Sequence, residues 1–355
     1  MYEEIYHPAL AIRPLVLLAF LPRQKRNPIS CYGSGKSRRW NKRNNKERKP
    51  MKILAKKLAL LSVTLLATTA AAQAQLASKI THYDLGKTRN LKAVHDGAGT
   101  MNFGPLMNDK TLSTNFIFLH RGVLHPKGGI GQHFHNHCEE MFVILDGEAE
   151  FTVNGRTSLL KGTVGAPDRM GSAHAIYNPT DHDVEWMNIN VGTSKVYDAF
   201  NLGDDRVDAP KDKVPQFVTM RLDKALLKPA PNGGKVQRRR ALSPSVFYTA
   251  WSYVDHELIA PGGDTGTSRT PDMSEAYYVI SGEGSVTVNG ETVSIKKGDA
   301  IPVDLNQSKS FKAGSQPLEL MIIGVAKDIA AKNAFAANAA NENPEPLLAT
   351  INRPR

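Results

Sequence analysis

The sequence predicts an all-β protein in which one folding unit is used twice, on three observations. The first is an internal repeat. Glu139 to Gly155 aligns without gaps with Ser274 to Gly290, at an offset of 135, with seven of 17 positions identical. The second is punctuation. Each copy reads as an apolar strand, a turn at Gly147 or Gly282, a second strand, and then Asn154-Gly155 or Asn289-Gly290, the dipeptide that closes tight hairpins. The third is that the likeness continues: Lys161-Gly162 before Pro167 is echoed by Lys297-Gly298 before Pro302.

In chain order, a leader comes first. Met51-Lys52-Ile53-Leu54-Ala55-Lys56-Lys57 is a positive segment, Leu58 to Ala70 an apolar one, and Ala72-Gln73-Ala74 a small-x-small cleavage signal. Residues 51–74 therefore read as a Sec-type secretory signal, with a mature start near Gln75. Such signals lie at a true N-terminus, so Met51 reads as the functional start and residues 1–50 as a mis-assigned extension. An anchor formed by Leu15 to Leu21 is the weaker alternative, because that run stops at Pro22 and Arg23. The expected location is periplasmic or secreted, with no membrane segment in the mature form. Residues 75–200 form the first unit and 246–326 the second. Between them, 201–245 reads as a linker in which Pro210, Pro215, Pro229, Pro231 and Gly233-Gly234 break any long element, and Arg238-Arg239-Arg240 is solvated or salt-bridged. From 327 to 355 an alanine-rich stretch favours a short C-terminal helix followed by a tail.

The charge belongs to the leader. The 355 residues carry a net +11, but fifteen of the 45 basic residues and three of the 34 acidic ones lie in 1–74. The remainder holds 30 basic and 31 acidic side chains, a net of −1, so the basicity gives no support to a nucleic-acid partner. The mature chain has no phosphate-cradling glycine loop, catalytic-serine motif or amphipathic membrane helix. It keeps one cysteine, Cys138, so an internal disulfide is excluded. Cys138 reads as a small buried filler, with nucleophile or soft metal ligand as the alternatives.

The chemistry concentrates in His133-Phe134-His135-Asn136-His137-Cys138-Glu139-Glu140, closed by Gly147 and answered by Pro167, Gly171, His174 and Asn178. On a strand, side chains two apart share a face, so His133 and His135 present two imidazoles to one point. Glu140 adds a carboxylate from the next strand and His174 a third imidazole. That donor set holds one divalent transition metal (Zn, Cu, Fe, Mn or Ni) and leaves positions open for a substrate.

These residues and spacings resemble the motifs of the cupin superfamily, whose first motif supplies His, His and Glu and whose second supplies a last His. The likeness departs at Asp168, Arg169 and Met170, three residues where the family usually has one between Pro and Gly. With the repeat, the resemblance implies a bicupin: two double-stranded β-helix (jelly-roll) barrels in one chain. The repeat offset maps His133, His135 and His174 onto Ser268, Thr270 and Lys309 and keeps only Glu140, as Glu275. The second barrel is therefore expected to have kept the frame and lost the metal, with Glu275 and Lys309 as an ion pair in its place.

Around the metal, Arg121, His137 and Arg169 are the candidate catalytic residues: Arg121 or His120 facing the barrel interior, His137 as a proton shuttle, Arg169 as an anion clamp. Asn188 and Asn190, sharing a face with Trp186, suit a pocket wall. The functional expectation is an exported metalloenzyme acting on a small oxygen-rich molecule by dioxygenase, decarboxylase, isomerase or lyase chemistry. The alternative is a non-catalytic binding or storage-type bicupin. A homo-oligomer is compatible with either.

Overall fold

The computed structural model describes residues 75–342 except 232. The expectations about Met51, residues 1–50 and the signal at 51–74 fall outside the described residues. The first repeat folds as two facing sheets. One runs, in order across it, β13 (Met220–Arg221), β9 (Val164–Asp168), β6 (Cys138–Ile144), β11 (Val184–Gly192), β4 (Phe116–Leu124), β3 (Thr100–Met107) and β2 (Arg89–Lys92). The other runs β12 (Phe200–Asn201), β5 (Gly129–Phe134), β10 (His174–Tyr177), β7 (Glu148–Val153) and β8 (Arg156–Lys161).

The second repeat builds the same pair of layers. Its larger sheet is β1 (Thr81–His82), β21 (Asp299–Val303), β18 (Met273–Ser281), β23 (Leu318–Ala326), β16 (Trp251–Ile259), β15 (Val236–Leu242) and β14 (Lys228–Pro229). Its smaller sheet is β17 (Ser268–Arg269), β22 (Ser308–Ala313), β19 (Glu283–Val288) and β20 (Glu291–Lys296). Each repeat is a jelly-roll barrel, and the C-terminal helix is Ile329–Glu342.

Period-two alternation decides what faces where. On β6 and β11, Phe142, Ile144 and Trp186 enter the core of the first barrel. The intervening Met141, Val143, Met187, Ile189 and Val191 leave it by the opposite face and join the core that continues through Tyr278 and Ile322 of the second barrel. All five are fully buried, each contributing roughly 1.5–3 kcal/mol by leaving water. An Ile189→Asp change would place an unpaired charge between the barrels.

The expected linker at 201–245 is not a free connector. β13 pairs with β9 of the first barrel, while β14 and β15 belong to the sheet of the second. β1, expected in the first unit, pairs instead with β21 of the second. The prolines limit the length of these elements but not their pairing: Pro229 lies on β14, an edge strand, where its missing N–H breaks no central ladder. Arg238 and Arg240 lie on β15 and each donates from Nε to the Asp255 carboxylate at 2.9 Å.

Candidate metal centre

Four side chains converge inside the first barrel. His133 and His174 are directly cross-strand on β5 and β10, and Glu140 faces them from β6 in the opposite sheet. The Nε2 atoms of His135, His174 and His133 lie 2.5, 3.0 and 3.4 Å from one oxygen, Glu140 Oε2. All four ligand atoms lie within 4.8 Å of one another, and all four residues are buried.

The backbone has already chosen the tautomers. Nδ1 of His133 faces the Gly131 carbonyl at 2.8 Å, Nδ1 of His174 the Ser172 carbonyl at 3.2 Å, and Nδ1 of His135 the Asp198 carbonyl. A carbonyl only accepts, so each Nδ1 donates, and Nε2 is the nitrogen each ring turns toward the centre, where it can bind a metal once it carries no proton. Asn188 Nδ2 donates to the remaining oxygen of Glu140. The donor set and its orientation fit a divalent ion.

Electrostatics argue the same way. Burial alone would raise the Glu140 carboxyl, but the facing His135 and hydrogen bonds from the three histidines hold it well below the usual carboxylate range. Burial disfavours charge on His135 too, yet Glu140 raises it to about 11. Left to protons alone, the cluster recruits a positive charge to offset a buried carboxylate, which is the task a metal cation performs. Asp168, directly across from Glu140 on β9, is pushed well above its ordinary value by burial and then by Glu140.

The cluster opens on a cavity of about 320 Å³. Val94, Phe103, Phe118, Ile130, Phe142 and Trp186 give it apolar walls, and His95, His120, Asn188 and Tyr197 its polar points. His95 stacks on His133 at 3.9 Å and bonds to Asn201 at 2.7 Å. His120 stacks on Phe118 at 3.8 Å. Burial drives both His95 and His120 down to about 4, so both imidazoles are neutral at neutral pH.

The structure brings together the expected ligands His133, His135, Glu140 and His174, with Asn188. It does not bring the expected catalytic residues to them. Arg121 is buried but points out of the barrel, where it bonds Tyr278 at 3.0 Å and Glu185 at 2.7 Å. Alternation along β4 gives the interior to His120 instead. Arg169 donates to the carbonyls of Val246 and Ser245 and stacks over Tyr248, tying the barrels together. His137 is exposed in the β5–β6 turn, its N–H bound by the Asp198 carboxylate at 3.1 Å. Cys138 is buried, its thiol 3.8 Å from Asp198. Sequence reasoning missed His95, Tyr197 and Asp198. The contribution of Asp198 to His135 is a backbone carbonyl, which no residue type announces.

In the second barrel the same register, Ser268 opposite Lys309, carries no imidazole. The expected ion pair is present: Lys309 Nζ lies 2.5 Å from Glu275 and also donates to Thr270 Oγ1 at 3.0 Å. The Tyr253 and Tyr277 hydroxyls donate to the two Glu275 oxygens at 2.5 and 2.8 Å.

Comparison with known proteins agrees with this arrangement. The family model described as a cupin domain matches twice, at residues 120–190 and 255–324. An oxalate-binding protein of Thermotoga maritima is 29% identical over 91 residues, which is 25% of this chain and 75% of that protein. Oxalate decarboxylase of Bacillus subtilis, a protein with Mn(II) centres, is similar in fold at a TM-score of 0.50 and 19% identity, over 70% of this chain and 77% of that one. Salicylate 1,2-dioxygenase of Pseudaminobacter salicylatoxidans is similar at a TM-score of 0.50 and 18% identity, over 66% and 78% of the two chains.

Proposed function

The chain belongs to the cupin superfamily, with two cupin domains in tandem, and on that premise we propose that it is a mononuclear metalloenzyme with its one active site in the first barrel. The observation that carries the reading is the convergence of three backbone-oriented Nε2 atoms and one carboxylate oxygen at the end of an apolar-walled cavity. His133, His135, Glu140 and His174 would hold the ion. When bound, it supplies Lewis acidity toward an oxygen of a small oxygen-bearing substrate.

The rest falls to side chains on the page. The Gly131, Ser172 and Asp198 carbonyls keep the imidazoles aimed, and Asn188 holds the far oxygen of Glu140. The apolar walls exclude water, which strengthens every electrostatic contact inside. His95 and His120 offer neutral imidazoles to a ligand. Donors of this type follow the Irving–Williams order, so zinc or copper is the expected occupant of protein exported through the proposed 51–74 signal and filled outside the cytoplasm.

Elemental analysis is expected to give one divalent metal per chain, with turnover of an oxygen-bearing small molecule that a His133→Ala/His135→Ala variant lacks. The oxalate-binding relative favours a second reading, a binding protein without turnover. Metal-loaded protein that binds hydroxy acids, uronic acids or phenols and converts none would support that one. The proposed export is tested by N-terminal sequencing of protein from the native host: a mature chain beginning near Gln75 supports it, and one retaining residues 1–50 refutes it.

A further inference from the structure

Building on the metal-site reading, we infer that the cavity of the first barrel takes an uncharged aromatic ring bearing adjacent hydroxyls, a catechol-type ligand, and that His120 accepts a hydrogen bond from one of them. The walls are the first reason. Phe103, Phe118, Phe142 and Trp186 present ring faces and edges on a cavity of about 320 Å³, which lies at the small end of the roughly 300–1,000 Å³ usual for ligand pockets. One ring, or two fused, fills such a space. A ring recovers aromatic contact there that a small dicarboxylate cannot.

Charge is the second reason. Among the described residues no lysine or arginine lines the cavity. Arg89 lies over the Phe103 ring at 5.5 Å and is not a lining residue, while Arg121 and Arg169 are engaged between the barrels. A bound divalent metal beside Glu140 would offset one charge of a dianion, but no side-chain cation stands in these walls to receive the other, and such desolvation is expensive. A neutral diol meets no such penalty and still offers two oxygens to a metal.

The third reason is His120. Its ring is fixed by stacking on Phe118 and by an edge contact with Phe103 at 4.5 Å. Yet neither ring nitrogen has a hydrogen-bond partner among the described residues, and the side chain borders the cavity. Burial keeps the imidazole neutral, so one nitrogen is an acceptor. Of the other polar points, His95 is engaged with Asn201 and Tyr197, and Asn188 through Nδ2 with Glu140, while Asn188 Oδ1 has no partner among the described residues. A hydroxyl entering the pocket finds an unpartnered imidazole acceptor at His120.

The test uses the full chain loaded with zinc, which does not oxidise a catechol. Binding of catechol and oxalate is followed by calorimetry and by quenching of tryptophan fluorescence, Trp186 being in the wall. Catechol should bind at least about tenfold more tightly than oxalate. His120→Phe preserves the stacking but removes the acceptor. It should weaken catechol binding by roughly three- to tenfold with zinc content and oxalate binding unchanged. His120→Gln restores an acceptor and should recover part of the loss. It also stands in as the informative variant if His120→Phe fails to fold, then showing smaller weakening than His120→Ala.

A metal-free arm separates this inference from the metal reading. 2-Naphthol cannot chelate, and it should quench Trp186 in the metal-free chain. Oxalate binding as tightly as catechol, no quenching by 2-naphthol, or a catechol affinity indifferent to His120 overturns the inference. Quenching by 2-naphthol in a chain that cannot hold zinc overturns the metal reading and leaves the aromatic pocket standing.

Discussion

The two barrels place a buried glutamate at the same point and answer it differently. Glu140 and Glu275 occupy equivalent positions on β6 and β18, and behind each the smaller sheet pairs residue 133 with 174 or 268 with 309 in the same register. In the first barrel three imidazoles surround the carboxylate with their Nε2 atoms inward, a set that a metal cation could bind. In the second an ammonium supplies the balancing charge from within, and two tyrosine hydroxyls complete the carboxylate's bonds. A buried carboxylate persists only with a compensating cation. The fold is indifferent to whether that cation comes from solution or from a lysine. The two donor sets differ by three substitutions that leave the backbone register unchanged.

The largest expected effect breaks the comparison from the first side. A His133→Ala/His135→Ala variant should fall from one metal per chain to essentially none by elemental analysis, while Lys309→Met leaves the content unchanged. Two metals per chain in the native protein would show the second barrel to be no salt-bridged relic.

Next in size is the second barrel's own cation. Lys309→Met strands Glu275 beside Tyr253 and Tyr277, and should lower unfolding stability by about 3–5 kcal/mol. Glu275→Gln added to it should recover most of the loss, as read from chemical denaturation of the double variant. Equal destabilisation in the single and double variants would contradict the ion-pair account.

Acid should separate the barrels by window. His120 is depressed from 6.5 to about 4 by burial, so the unfolded chain binds more protons between those values. Its contribution is therefore complete above pH 6.5 and lost as pH falls toward 4, roughly 1–2 kcal/mol after allowance for partial exposure. Glu319 in the second barrel is depressed to about 2; burial raises it, but hydrogen bonds from His256, Ser281 and Lys224 outweigh that. Its contribution is complete above 4.5 and lost only as pH falls toward 2. Hydrogen exchange at pH 7, 5 and 3 should show local opening around His120 at a higher pH than local opening around Glu319, and His120→Phe should flatten the first step.

The smallest contrast lies in the two repeat turns. Gly147 and Gly282 have φ of +66° and +83°. A Cβ at Gly147 would meet Val184 at an ordinary 3.6 Å, whereas at Gly282 it would lie 1.9 Å from the Pro317 carbonyl oxygen. Gly147→Ala should cost about 1 kcal/mol in left-handed strain, and Gly282→Ala visibly more, by thermal melts of the two variants.

What was legible in the sequence follows from what repeats or alternates. The doubled barrel showed because Glu140–Gly155 and Glu275–Gly290 keep their turn residues, and the ligands showed because residues two apart on β5 share a face. The sequence poses the choice between His120 and Arg121 for the interior and makes Arg121 a candidate catalytic residue, whereas the structure turns Arg121 toward Tyr278 and Glu185. Alternation says that one of them faces inward; it does not say which, until Phe118 and Trp186 fix the interior face. The triple arginine on β15 is salt-bridged through Arg238 and Arg240, one of the two outcomes the sequence offers, whereas the place of Arg169 was unreadable for another reason. Its partner, the Val246 carbonyl, is 77 residues along the chain, and long-range pairing of a charged side chain leaves no local pattern. Asp198 was invisible because it acts on His135 through its carbonyl.

The crossed arms at the barrel edges carry a consequence for how the chain acquires its shape. Thr81 and His82 find their partners at Ala300 and Asp299, reinforced by a 2.7 Å contact from His82 to Asp299, and β9 finds its outer neighbour only when β13 arrives. The first barrel thus waits on residues that follow it, and its own beginning closes the other barrel. Such distant pairings slow the search for the native state and bind its parts into one event. A fragment ending near residue 205 would leave β1 unpaired and β9 as a bare edge, so the two halves should melt and refold as a single cooperative unit.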